Sequence, residues 1–179
     1  MSLLTWFRRQ KKRRRDRIYG GPCIDGGTRI CNDTDAPKEI VSRDLTRFSC
    51  TVSTLSLAEE DTRLRCAVYS FEAEATEAGV RVAVSCSRGV DTGMKREETR
   101  EDAFLTTLEA LIRAHDVARY NGKSYKVSGL PDFYGSMLSA SYASGEEIYC
   151  CNNQDPILPI AFLRELCRLF GVINAEVTP

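Results

Sequence analysis

Between residues 68 and 86, apolar side chains recur at every second position on either side of one short turn. Phe71, Ala73 and Ala75 alternate with Ser70, Glu72 and Glu74. Val80, Val82, Val84 and Cys86 alternate with Arg81, Ala83 and Ser85, and Ala78-Gly79 lies between the two runs. A period of two puts successive side chains on opposite faces of an extended chain. The pattern therefore predicts a half-buried β-hairpin and excludes an amphipathic helix over the same residues. Upstream, Leu64, Cys66 and Val68 alternate in the other phase, which predicts a β-bulge where the phase changes. A lone hairpin is not stable in water, so this one needs more strands and a covering layer.

The rest of the chain supplies both. Ile40 and Val41 read as the start of a strand. Phe48, Cys50, Val52 and Leu55 alternate with Ser and Thr as another, and Glu59, Glu60 and Asp61 form an acidic turn. Residues 88–100 are charged and contain glycine, and read as an exposed loop. Thr99 followed by Asp102 resembles a capping box with Asp in place of Glu. Phe104, Leu108, Leu111, Ile112 and His115 then recur at helical spacing, which predicts a helix to about Tyr120, stopped at Asn121-Gly122. The second half repeats the plan. Tyr125, Val127 and Leu130 predict a strand, and 137–142 with 147–151 predict a hairpin around Ala143-Ser144-Gly145-Glu146. Asp155-Pro156 reads as a helix start, with Phe162, Leu163, Leu166, Cys167 and Phe170 on its buried face and Gly171 at its end. Strands that arrive as hairpins, each group closed by a helix, favour an antiparallel arrangement. The expectation is an α+β fold: a mainly antiparallel β-sheet with two helices packed on one face, in a βββα pseudo-repeat. The polar face of that sheet is left for solvent or a partner.

At 179 residues one domain is expected, with room for a real core. The chain is formally neutral, but its charge is unevenly spread. Residues 1–20 hold eight basic residues and one acid, Asp16, about +7, so the remainder carries about −7. Leu3, Leu4, Trp6 and Phe7 precede the basic run Arg8, Arg9, Lys11, Lys12, Arg13, Arg14, Arg15 and Arg17. Gly, Asp and Pro dominate residues 18–36. The expected organisation is a disordered basic tail over 1–17, a flexible linker over 18–36 and a single α+β domain over 37–174. Two Gly-Gly pairs in the linker lack the Gly-Lys-Ser/Thr of a phosphate loop. No apolar run reaches the roughly 18–20 residues of a membrane span. The charges precede no long apolar stretch, so the N-terminus does not read as a secretory signal. A cytoplasmic protein is expected.

The eight cysteines are Cys23, Cys31, Cys50, Cys66, Cys86, Cys150, Cys151 and Cys167. A cytosolic setting favours free thiols. No Cys-x2-Cys pair is present, and the one histidine, His115, is far from any cysteine in sequence, so no metal site and no cofactor are expected. Cys50, Cys66 and Cys86 occupy apolar strand positions and read as buried thiols. Adjacent Cys150 and Cys151 point to opposite faces of a strand, as structural thiols or as a vicinal redox pair.

Several segments together resemble an uncharacterised family of cytoplasmic proteins from anaerobic Gram-positive, gut-type bacteria. They are Ala36-Pro37-Lys38-Glu39-Ile40 leading into Phe48-Ser49-Cys50, Tyr120-Asn121-Gly122, and Val127-Ser128-Gly129-Leu130-Pro131-Asp132-Phe133-Tyr134-Gly135. To these add Tyr142-Ala143-Ser144-Gly145-Glu146 and Asn152-Asn153-Gln154-Asp155. Such proteins also open with a few apolar residues and a Lys/Arg run. The resemblance covers roughly residues 1–12 and 36–171. It implies a cytoplasmic setting and no activity.

Two functional constellations emerge from the residues. Tyr120, Tyr125, Asp132, Tyr134, Asn152, Asn153 and Gln154 can converge at one end of the sheet as a polar–aromatic ligand site. The plainer reading has Asp132 closing a turn, the Asn pair shaping a connection and the tyrosines packing at the sheet edge. The basic residues from Arg8 to Arg17 can meet an anionic membrane surface, with the preceding apolar residues inserted, or neutralise nucleic-acid phosphates; a solubilising tail is the plainer reading. Catalytic motifs are absent: there is no Gly-x-Ser-x-Gly, His-Glu-x-x-His or dinucleotide fingerprint. His115 lies on an apolar helix stripe, and Glu72 and Glu74 read as the solvated face of their strand. The expected function is a non-enzymatic binding or interaction module, with an unidentified protein partner or a weak anionic partner for the tail. The alternative is a small enzyme using the polar–aromatic end.

Overall fold

A computed structural model describes residues 28–54, 57, 67–128 and 135–173. The eight strands, in chain order, are β1 (Thr28–Asn32), β2 (Leu45–Ser53), β3 (Val68–Thr76), β4 (Gly79–Arg88), β5 (Lys95–Arg100), β6 (Lys123–Val127), β7 (Ser136–Tyr142) and β8 (Glu147–Asn152). Helix α1 (Ala103–Ala114) and a short 3-10 helix (Val117–Tyr120) separate β5 from β6. Helix α2 (Ile160–Leu169) comes after β8. All strands join one sheet in the order β1-β6-β8-β7-β2-β3-β4-β5, and only β6 and β8 run parallel. The fold is α+β. The two halves meet where β2 pairs β7. Strands β2 to β5 lie side by side in chain order, whereas in the second half β8 lies between β6 and β7.

Period-two patterning decides which sheet face is covered. Phe48, Cys50 and Val52, then Tyr69, Phe71 and Ala73, then Val80, Val82, Val84 and Cys86 are all buried on one face. The phase change before Phe71 is a register irregularity at Val68/Tyr69. Helix α1 lays Phe104, Leu105, Leu108 and Ile112 on this face, and α2 lays Phe162, Leu163, Leu166 and Cys167 there. Phe170 closes the core at the end of α2. Its ring lies 4.9 Å from Phe71, 5.2 Å edge-on from Phe104 and 6.3 Å from Phe48. It thus ties α2 to two strands and to α1, and a buried aromatic in such a place is worth about 3–5 kcal/mol against alanine.

No helix among the described residues covers the other face, although Ser124 and Cys151 are buried on it. One rung crosses all eight strands through register partners: Cys31, Ser124, Cys151, Met137, Thr51, Ser70, Ser85 and Lys95. A second rung pairs charges, with Glu74 2.7 Å from Arg81 and 3.9 Å from Arg47. Glu72 and Glu74 do lie opposite Phe71 and Ala73, as their spacing predicts.

The structure corrects the sequence reading in several places. Residues 28–32, expected in the linker, form β1, which pairs β6, so the folded body begins before Pro37. Residues 95–100, expected in an exposed loop, form the edge strand β5 on β4. Ile40 and Val41 belong to no strand; Ile40 is buried and Val41 is 83% exposed. Helix α1 stops at Ala114, short of Tyr120, because Asp116 turns to φ 48°. Asp102 precedes α1 without a side-chain capping bond, and Thr99 is committed to β5. Helix α2 starts after Pro159, whose ψ of 138° keeps it outside the helix, and not at Asp155-Pro156. The acidic turn at 59–61, Leu55, Cys66 and the tail lie outside the described residues.

Candidate functional site

The predicted polar–aromatic residues divide between the two ends of β6. Tyr120 ends the 3-10 helix just before β6, with the Arg119 guanidinium 4.7 Å and the Lys123 ammonium 5.3 Å from its ring centre. Its hydroxyl accepts a hydrogen bond from Arg119. Tyr125 sits mid-strand, opposite Ile30 and Asn152. At the far end, Asn152 Oδ1 accepts the Gln154 and Asp155 N–H groups at 2.9 and 3.1 Å, an Asx turn. The Asn153 amide grips the Val127 backbone at both N–H and C=O, each at 2.9 Å, and so prolongs the β6 ladder with a side chain. Gln154 donates to the Asn153 carbonyl at 3.0 Å. These three amides bond backbone. Asp132, Tyr134 and the basic residues Arg8 to Arg17 lie outside the described residues.

A different set of groups converges at the C-terminal end of α1. The stripe of α1 that faces the sheet is Phe104, Leu105, Leu108, Glu109 and Ile112. Glu109 is thus a carboxylate in an apolar row, 5% exposed. Its partner is Arg113 one turn on, an ion pair with the first side chain buried and the second 36% exposed. The signal was present in the sequence: Glu109 comes four residues after Leu105 and three before Ile112, so it must share their face. Arg113 reaches further and donates to the Ser42 carbonyl at 2.8 Å.

Ser42 belongs to a strap, residues 38–42, which crosses this end of the sheet. Glu146, in the β7–β8 turn, holds the strap from the other side. Its two carboxylate oxygens accept the Val41 and Ser42 N–H groups, each at 2.9 Å. The Val41 N–H bond, then Ser144 and the Ser42 N–H, hold the Glu146 carboxyl below its ordinary value. Asn121, a buried amide, anchors the start of the strap. It donates to the Pro37 and Glu147 carbonyls at 3.0 and 2.8 Å and accepts the Tyr149 N–H at 2.8 Å. Beside it Gly122 adopts φ +78°, and a Cβ there would lie 2.6 Å from Ala36 Cβ, so only glycine fits.

Strap, α1 and sheet enclose a cleft of about 200 Å³ lined by Lys38, Glu39, Glu109, Arg113, Asp116 and Tyr142 together with apolar neighbours. Tyr142 is 4% exposed, and its hydroxyl makes no hydrogen bond to the described residues. Burial first, then the negative charge of Glu109, pushes its pKa up to about 12, with Arg113 opposing. It is therefore a neutral O–H that can both donate and accept. Asp116 stands at the turn after α1 in the left-handed region, which Asp enters more readily than most residues.

Reactive side chains elsewhere are committed. His115 contacts Glu165 of α2 at 3.2 Å, and its ring lies edge-on to Phe162. Cys50 and Cys150 are buried on the helix side of the sheet, and burial pushes both thiols up, Cys150 to about 12. Thiolate chemistry is thereby suppressed at these two. Cys151, buried on the opposite face, pairs in register with Met137 and Ser124. Among the described residues no three His, Cys, Asp or Glu side chains group as metal ligands, and no helix is long and apolar enough to cross a membrane. Compared with known protein families, curated proteins and solved structures, the chain has no match.

Proposed function

We propose that this chain is a non-enzymatic binding module whose ligand enters the cleft beneath the 38–42 strap. One observation carries the reading. The Tyr142 side chain is nine-tenths buried and lines the cleft, and its hydroxyl lies near the charges of Glu109 and Arg113 and has no partner among the described residues. A hydroxyl held by a packed ring and open to the cleft is free to bond a ligand atom there. The volume is below the roughly 300–1,000 Å³ of sites for drug-sized molecules, so the ligand is small. The commitment of His115 to Glu165 and the raised thiols of Cys50 and Cys150 favour binding over catalysis.

The test is a two-dimensional amide NMR titration of the labelled chain with mixtures of small cationic, anionic and neutral polar fragments. Saturable shifts at Ile112, Asp116, Val117, Ala118 and Ile148 are expected. Shifts confined to the open sheet face, at Ser49, Thr51, Ser70 and Ser139, would overturn the cleft and favour a protein-binding face instead.

The basic segment adds a separate proposal: Arg8 to Arg17 meet an anionic surface while the body stays in the cytoplasm. Flotation with anionic but not neutral vesicles would support it. Salt-sensitive binding to duplex DNA would redirect it to nucleic acid, and failure in both assays would remove it.

A further inference from the structure

We infer that the cleft under the strap selects a small organic cation bearing a primary ammonium group. This rests on the proposed use of the cleft as the binding site and specifies its ligand. Five charged side chains line the cavity: the bases Lys38 and Arg113, and the acids Glu39, Glu109 and Asp116. Both bases are already occupied. Lys38 Nζ donates to the Asp33 carbonyl at 3.3 Å and also to the Asn121 carbonyl. Arg113 is divided between Glu109 and the Ser42 carbonyl.

The acids are not all matched. Glu109 has Arg113, but the carboxylates of Asp116 and Glu39 accept no hydrogen bond and form no ion pair among the described residues. Asp116 feels the charge of Arg119 at longer range. The wall of the cleft therefore offers two unmatched carboxylates and a net charge near −1.

The Tyr142 hydroxyl adds the observation that acidic side chains alone would not give. The side chain is nine-tenths buried, its neutral hydroxyl makes no hydrogen bond to the described residues, and its oxygen can accept from a ligand N–H. An ammonium group has three donors and no acceptor, so it can bond a carboxylate and the tyrosine oxygen at once. A carboxylate ligand could reach only the remaining N–H groups of Arg113, and it would meet the like charges of Asp116 and Glu109 beside them. The apolar part of the lining, Ile40, Ile112, Val117 and Ile148, suits a short alkyl chain behind the charged head. A cation of a few heavy atoms matches the volume.

The test uses the full chain and three probes of one size: n-butylammonium, butyrate and 1-butanol, at matched ionic strength, tracked by amide NMR. Butylammonium should saturate shifts at Asp116, Val117 and Ala118, while butyrate leaves them unmoved. Asp116→Asn, which keeps a side chain tolerant of the left-handed turn, should weaken butylammonium roughly tenfold. Tyr142→Phe should weaken it several-fold without lowering the unfolding midpoint, because the hydroxyl bonds nothing among the described residues. A midpoint that falls with Tyr142→Phe would show the hydroxyl serving the fold, and would overturn its role here. Saturation by butyrate or butanol, with butylammonium silent or equal, overturns the cation assignment and leaves the cleft as a binding site. No saturation at these amides by any of the three probes or by the fragment mixtures overturns both readings.

Discussion

The Arg96 guanidinium donates to the Phe170 carbonyl at the C-terminal end of α2. Arg96 sits on the edge strand β5 opposite Val84, so it points to the helix side. A cation at this position meets the negative end of the helix dipole and satisfies a carbonyl that the helix leaves open. With the β4 ladder and Arg100 over the Phe104 ring, it ties an otherwise charged strand to the core.

Replacing Arg96 with alanine is therefore expected to cost about 1 kcal/mol, or a midpoint lower by about 2–4 °C for a chain of this size. Hydrogen exchange should report where the loss falls: faster exchange along β5 and the last turn of α2, with β2 unchanged. Arg96→Lys should recover part of the stability, since charge survives and the extended reach does not. An unchanged midpoint and unchanged exchange in β5 would contradict the role.

Glu146 makes the strap sensitive to acid. Its folded carboxyl lies below the ordinary value of 4.5, so its contribution is present above that value and is lost as pH falls through the folded one. The Val41 and Ser42 N–H groups should then lose their acceptors. Protection of these two amides, taken relative to their intrinsic exchange at each pH, should fall on acidification below the ordinary carboxyl range, ahead of the core strands. Glu146→Gln should show the same local loss at neutral pH, because one oxygen and the charge are gone. Protection at Val41 that is indifferent to pH and to this substitution would remove Glu146 as the clasp.

These elements differ in how far the sequence announces them. The β3–β4 hairpin, including its change of phase, is legible because each buried position is apolar. Strand β5 reads Lys-Arg-Glu-Glu-Thr-Arg and buries nothing, so no periodicity marks it; it exists through backbone pairing to β4, and its charges guard an exposed edge. Strand β1 is hidden for the same reason, with Ile30 73% exposed. The strap cannot be read at all, since its bonds join Val41 to Glu146 over 105 residues of chain. Glu109 is the instructive case. Its place on the Leu105–Ile112 stripe is visible in the sequence, but nothing in the spacing of the asparagines and tyrosines points to it. Asn152 is spent on a turn, as Asn often is beside a strand, and Asn153 on the backbone of Val127.

Gly135 tests how the far end of the sheet is closed. A Cβ there would lie 2.1 Å from the Asn152 carbonyl oxygen and 2.4 Å from Asn153 Cα, both backbone atoms that cannot swing aside. The Gly135 carbonyl also accepts the Ser53 N–H at 3.0 Å, so the strand cannot simply shift. Gly135→Ala is expected to destabilise by about 1–3 kcal/mol, with amide shifts concentrated at Ser53, Asn152 and Asn153. A wild-type midpoint would mean that β7 and β8 are free to move apart here.

The Glu109–Arg113 pair separates stability from function most directly. Arg113→Ala strands a buried carboxylate without its partner, and should cost about 1–3 kcal/mol, less than for a wholly buried pair because the guanidinium is 36% exposed. Glu109→Leu is the informative opposite. It continues the stripe of Leu105, Leu108 and Ile112 with a side chain of similar size, removes the charge that α1 must desolvate, and leaves Arg113 its Ser42 carbonyl. Replacing a whole buried ion pair by packed apolar groups is commonly neutral or stabilising, and here the charge left behind, Arg113, is 36% exposed and so is not stranded in the core. The expected result is an unfolding midpoint equal to or above that of the parent, together with loss of saturable shifts in the cleft. A carboxylate that the fold would do as well without has its reason in what the cleft holds. If Glu109→Leu instead falls by as much as Arg113→Ala, the pair is a structural tie between α1 and the strap, and Glu109 has no part in what the cleft holds.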